Sequence, residues 1–107
     1  MNFIESVLTL AGLVKNKTFK QTRFTVAPST DFAVWMDQSE ADGADLMDLI
    51  TRHSSTIEVY MYKPDETVLD RILQVLWNAG VKYTTSAKTW IGDDQFYLVY
   101  VYFDWVG

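Results

Sequence analysis

The chain of 107 residues contains no cysteine, which removes both a disulfide framework and any thiolate metal site. It has a single histidine, His53, so every Ser-His-Asp arrangement would have to run through one imidazole. No apolar run approaches the roughly 20 residues that a membrane-spanning helix needs, and a soluble protein is expected. Residues 1–14 lack a basic leader and a small-residue cleavage site and carry Glu5. They read as a short amphipathic helix rather than a signal peptide. Gly12, Gly43, Gly80 and Gly92 stand too far apart for a phosphate-cradling loop. Bases are outnumbered, 9 against 14 acids for a net charge of −5. That deficit argues against a general nucleic-acid binder, whose phosphate contacts need a basic surface.

What is present is apolar mass, 49% of residues, with six Tyr, six Phe and four Trp. This is enough for one folded domain. Most of it lies in Thr56–Asp104. Thr56–Tyr62 is β-branched and aromatic and predicts a strand. Lys63-Pro64-Asp65 ends that strand, and Asp65 is a candidate N-cap. Val68, Leu69, Ile72, Leu73, Val75, Leu76 and Ala79 then recur at helical spacing, which predicts a helix over about 65–79. Gly80 suits the left-handed position that closes it. Gly92-Asp93-Asp94 supplies a turn, and Phe96–Phe103 is the strongest strand in the chain. Phe96, Leu98, Tyr100 and Tyr102 point one way, and Tyr97, Val99, Val101 and Phe103 the other. A strand apolar on both faces needs cover on both. The helix covers one, and the N-terminal segment or a second subunit must cover the other.

Ahead of this block, Phe3, Ile4, Val7, Leu8 and Ala11 mark one helical face, with Asn2 to start the helix and Gly12 to end it. Thr18–Val26 alternates loosely and reads as a strand. Pro28 marks a loop, and Phe32–Met36 is a short strand. Asp37–Gly43 reads as an acidic turn. Leu46, Met47, Leu49 and Ile50 lean to extended structure, because Arg52-His53-Ser54-Ser55 reads as a hairpin loop leading into Thr56–Tyr62. The fold class is α+β: an N-terminal helix and a mainly antiparallel sheet with one helix packed on a face.

Charge is segregated along the chain. Lys15, Lys17, Lys20 and Arg23 fall in a stretch without acids, and Asp31, Asp37, Glu40, Asp42, Asp45 and Asp48 follow with no base between them. Such blocks are usually solvated faces. The sharper reading is complementary surfaces on neighbouring copies that steer a head-to-tail association. As a calcium loop the acids fail at both ends: with Gly43 in the central place, Gln38 falls first and Leu49 stands where a bidentate Glu belongs. Ser54 and Ser55 beside His53 are too close in sequence for a hydrolase triad. The aromatic residues could stack bases, but no base is interleaved with the last strand. No cofactor, metal site or enzyme is expected.

The run from Phe32 to Val106 resembles the small tail-completion, or tail-terminator, proteins of tailed bacteriophages and prophages. The shared features are the strand Phe32–Met36, a Gly43-Ala44-Asp45 turn, the strand Ile57-Glu58-Val59-Tyr60 and an acidic helix start at Asp65. Trp90-Ile91 and the Gln95–Phe103 strand follow. The resemblance covers residues 32–105 by pattern and does not extend to the first 30. It implies a non-catalytic virion protein at the head–tail junction. Such proteins form homo-oligomeric rings, commonly hexamers, which cap the tail tube, stop its growth and face the head–tail connector protein. The implied partners are further copies of itself, the tail tube protein and the connector, with no specific nucleic-acid binding and no membrane. The candidate lumen or interface residues are Asp37, Glu40, Asp42, Asp45, Lys15, Lys17, Lys20 and Arg23. Other roles for the same pattern are a head–tail joining protein at another position and, from a different class, a small module that binds a protein along a sheet edge.

Overall fold

The structure is a computed structural model that describes residues 2–42, 50–62, 66–92 and 95–106, with the backbone alone at 39–42 and 50–51. The chain opens with helix α1 (Phe3–Leu10), whose Asn2 Oδ1 accepts the Glu5 amide at 2.8 Å. This places a side-chain oxygen on an amide that has no partner within the helix. Gly12, at φ +96°, turns the chain out of the helix, a conformation that a Cβ would oppose. Strands β1 (Phe19–Gln21), β2 (Phe32–Asp42) and β3 (Ile50–Met61) follow, then helix α2 (Thr67–Asn78) and strands β4 (Tyr83–Thr85), β5 (Thr89–Ile91) and β6 (Phe96–Val106). The sheet order is β1-β2-β3-β6-β4, with β5 also on β6. Among the described strands only β1, which runs parallel to β2, departs from antiparallel pairing. The α+β architecture is as expected.

One face of the sheet holds the core. Ala33 and Trp35 of β2, Ile57, Val59 and Met61 of β3, and Val99, Val101 and Phe103 of β6 are buried there. Ile4, Val7, Leu8 and Ala11 of the first helical segment and Leu69, Ile72 and Leu76 of α2 lie over them. Both helices therefore share one face, and α1 packs beside α2 rather than on the far side. Gly80, at φ +74°, closes α2 in the left-handed conformation expected of it. The start of α2 differs from expectation. Glu66 holds the N-cap position at φ 56° without a side-chain cap, and its carboxylate turns instead to Lys88 at 3.1 Å. Residues 63–65, the expected Asp65 cap among them, lie outside the described residues.

Two loop assignments give way to strand. The acidic segment from Asp37 to Asp42 continues β2, and Arg52-His53-Ser54-Ser55 runs through the middle of β3. The two strands pair without interruption from Phe32↔Tyr60 to Asp42↔Ile50. Polar residues tolerate a strand here because they bond to one another across it. Ile50 begins β3, as the extended reading expected at that point, whereas Gly43, Asp45, Leu46, Met47 and Leu49 lie outside the described residues. The expected Thr18–Val26 strand contracts to β1. Phe24 leaves the ladder to pack edge-on against Phe32 at 5.6 Å, and Val26 is exposed. At the other end, β6 runs on past Phe103 to Val106.

β6 leaves the ladder after Arg52↔Val106, and β2 and β3 run on for two further described pairs, Ala41↔Thr51 and Asp42↔Ile50, as a short two-stranded arm. The molecule measures 49 × 28 × 22 Å.

Candidate functional site

The base of that arm is built by register. Asp37 faces Ser55 and Ser55 faces Phe103, while His53 faces Trp105 in the next row. All four polar side chains among these fall on the core face, beyond the edge of the helices' apolar cover. Ser55 Oγ donates to Asp37 Oδ1 at 2.7 Å, and Trp105 Nε1 donates to the same Ser55 Oγ at 2.8 Å. His53 Nδ1 lies 2.6 Å from Asp37 Oδ2. The imidazole stacks on the Trp105 ring with centroids 3.7 Å apart and planes 7° apart. Phe3 of α1 closes the other side of the indole at 5.3 Å. Ser55 is 3% exposed, and the Asp37 and His53 side chains are 15% and 14% exposed. The cluster ties β2, β3 and β6 together where the three-stranded ladder ends.

These residues include a serine, a histidine and an aspartate, but in the wrong order for acyl transfer. A catalytic serine gives its proton to an imidazole that an aspartate orients. Here the carboxylate sits between, taking the serine hydroxyl on one oxygen and the imidazole on the other. The remaining Ser55 lone pair receives the Trp105 indole. A concavity of about 700 Å³ opens alongside, lined by Gln38, Arg52, Ser54, Asp104 and Val106. Its charged groups are one guanidinium and one carboxylate on neighbouring strands.

Among the described residues, no helix lies on the opposite sheet face. Phe32 and Val34 of β2, Glu58 and Tyr60 of β3, and Phe96, Leu98, Tyr100 and Tyr102 of β6 share it by alternation. At one end the rings interlock. Phe32 stacks on Tyr60 at 4.5 Å, and Phe96 meets Tyr60 edge-on at 4.9 Å. The 22–31 segment reaches this end: the Tyr62 hydroxyl donates to the Pro28 carbonyl at 2.7 Å, and Asp31 accepts the Tyr62 amide at 2.9 Å. Burial, together with a 2.5 Å bond to Glu58, pushes the Tyr60 phenol well above its ordinary range. At the other end Tyr100 and Tyr102 stack in parallel, and Tyr102 is 44% exposed. No described element covers them.

The charged residues singled out from the sequence separate into three groups. Lys15, Lys17, Lys20 and Arg23 gather around β1; Lys15 is paired with Glu5 at 3.2 Å, and Lys20 lies over the Phe24 ring at 6.0 Å. Asp37 belongs to the half-buried cluster rather than to a solvated loop. Glu40 stands opposite Arg52 at the end of the three-stranded ladder, Asp42 stands on the short arm beyond it, and Asp45 lies outside the described residues. Among the described residues no three His, Cys, Asp or Glu side chains converge as metal ligands. Trp105 was missed as a polar partner. The signal was available, because Tyr97, Val99, Val101, Phe103 and Trp105 continue one alternation.

Compared with known proteins, the chain matches no family model and shows no significant similarity to any curated protein.

Proposed function

We propose that this chain is a virion assembly protein of the tail-terminator kind, a homo-oligomeric ring that caps a phage tail tube and meets the head connector. The observation that carries the reading is the sheet face without a second layer among the described residues, on which Tyr100 and Tyr102 are stacked and Tyr102 is exposed. A single sheet with both helices on one side leaves apolar and aromatic surface that association can cover. Tyrosine suits that task, since it offers a large rigid ring with a polar tip and little rotamer freedom to lose. Acids along β2 would repel phosphate, so that DNA passes a ring lumen without adhering. The role requires no catalysis and no cofactor, and it places the protein at the head–tail junction of the particle, and in the host cytoplasm before assembly.

Removing the gene from its phage or prophage tests the reading. The expected particles are unjoined heads and tails whose tubes run to irregular lengths. Tails of normal length joined to heads in the deletion strain refute it. A binding module, which recognises another protein along the sheet edge, would leave the tails intact and deplete a host partner in pull-downs instead.

A further inference from the structure

The backbone at the two ends of the sheet shows how one copy would meet the next. In a strand with antiparallel neighbours, successive residues turn their N–H and C=O groups to opposite sides. Ala33 N–H donates to the Thr18 carbonyl and the Trp35 carbonyl accepts from Thr22 N–H, both at 2.9 Å. The odd residues of β2 therefore face away from β3. Past Trp35 these are Asp37, Ser39 and Ala41, and no described strand pairs with them. The short β1 beside them is closed by its own turns. Phe19 N–H donates to Val14, the Phe19 carbonyl accepts from Asn16, and the Gln21 carbonyl accepts from Arg23.

At the far end, Ser86 marks the outward side of β6. Its N–H donates to the Tyr100 carbonyl and its Oγ accepts the Tyr100 N–H, each at 2.9 Å. The even residues of β6 thus face β4. Thr84 pairs with Tyr102, which turns Tyr83 and Thr85 outward, and Asp104 and Val106 extend beyond β4 with no described strand beside them. A shallow concavity of about 290 Å³ runs along this edge between Lys82, Thr84, Tyr102 and Asp104. Trp77 stands 71% exposed on its helix side.

We infer that the open β2 edge at Asp37–Ala41 of one copy adds to the open β4 edge at Tyr83–Thr85 of a second copy, extending one sheet across the boundary. Open edges attract strands, and a protein that leaves two of them unblocked has a use for them. Because they lie at opposite ends of the sheet, the contact is head-to-tail, which closes into a ring when the rotation per subunit permits. Charge selects the same pairing. Glu40 and Asp42 mark the β2 edge, while Lys82 flanks β4. Acid against acid disfavours pairing of β2 with its own copy. This inference rests on the self-assembly reading above and specifies its interface.

The cysteine-free chain makes a direct test possible. The full chain carrying both Ala41→Cys and Thr85→Cys, oxidised at high protein concentration, should give a ladder of disulfide-linked oligomers. Either single variant should stop at background dimer. In parallel, sedimentation velocity should show that Glu40→Lys/Asp42→Lys and Lys82→Glu each weaken self-association at least about tenfold. Mixing the two should restore it, because acid and base again face each other at both edges. Absence of the ladder, or charge variants that associate like the parent, overturns the edge contact whatever the gene deletion shows. Normal joined tails in the deletion overturn the assembly role whatever the ladder shows.

Discussion

Asp37→Ala is the most informative single change, because one carboxylate holds two bonds across two strands. Ser55 Oγ donates to it at 2.7 Å and His53 Nδ1 lies 2.6 Å away. Hydrogen bonds to a charged group contribute about 1.5–3 kcal/mol each, and a buried donor left unpaired costs about 1–3 kcal/mol. The Asp37 side chain is 15% exposed, which puts each bond at the weaker end. Ser55, 3% exposed, loses its acceptor but keeps the Trp105 donor. The expected net loss is about 3 kcal/mol, or about 12 °C in Tm for a domain of this size. Urea unfolding at fixed protein concentration measures it, with an unchanged m-value confirming that the same surface unfolds. Asp37→Asn, which can still accept from Ser55, should lose about 1 kcal/mol. Ser55→Ala, combined with Asp37→Ala in a double-mutant cycle, should show a coupling of about 1 kcal/mol. An Asp37→Ala loss below about 0.5 kcal/mol, within the range of ordinary surface changes, refutes the view that this cluster fastens the arm.

Three further outcomes test the rest of the fold. The raised Tyr60 phenol makes the folded chain hold that proton more tightly than the unfolded chain, whose phenols titrate near 10. Its contribution is thus constant below that pH and is lost as pH rises through the alkaline range. Tyr60→Phe should flatten that alkaline fall in a series of urea melts, and a fall unchanged in the variant contradicts the assignment. Leu76→Ala, at a fully buried position, should cost about 2–5 kcal/mol. Trp77→Ala, one residue on but 71% exposed, should stay within about 0.5 kcal/mol; similar losses at both positions would contradict the placement of α2. Gly80→Ala, at φ +74° with open space around its Cβ, should cost about 1 kcal/mol through backbone strain alone. Thermal melts of the same variant read it, and no change would show that α2 ends differently.

The elements that periodicity could reach were those whose apolar residues fall on one face. α1, α2 and β6 follow directly from Ile4–Val7–Leu8, Leu69–Ile72–Leu76 and the alternation after Phe96. Gly80 announced its own conformation. The arm was not legible, because Arg52-His53-Ser54-Ser55 has the composition of a turn. Turn chemistry describes what such side chains do with their own backbone. It says nothing of a partner 18 residues away, and Ser55 finds its acceptor at that separation. Asp37 misled for the same reason. In a run of acids it looked like one more solvated carboxylate, yet only Asp37 of that run falls opposite Ser55. The contracted β1 has a different cause. Phe24 had a better place against Phe32 than in the ladder, a tertiary preference that overrides local alternation.

Those two departures act together on the open end of the sheet. Had residues 37–42 formed a loop, β2 would have ended near the limit of β1, and its edge would not stand unpaired. Had β1 run to Val26, it would have covered that edge within one molecule. Instead β1 stops at Gln21 while β2 continues to Asp42, so the exposed ladder is produced by one strand that is short and another that is long. The polar cluster makes the long strand affordable. Past Trp35 the long strand rests on β3 and β6 without β1, and it is pinned at its root by Asp37, His53, Ser55 and Trp105, with Phe3 of α1 against the indole. Loosening that root should therefore weaken association between copies even though none of its side chains needs to touch a neighbour. Such a loss in Asp37→Ala, larger than the charge change alone gives in Asp37→Asn, would separate a positional role from a direct one.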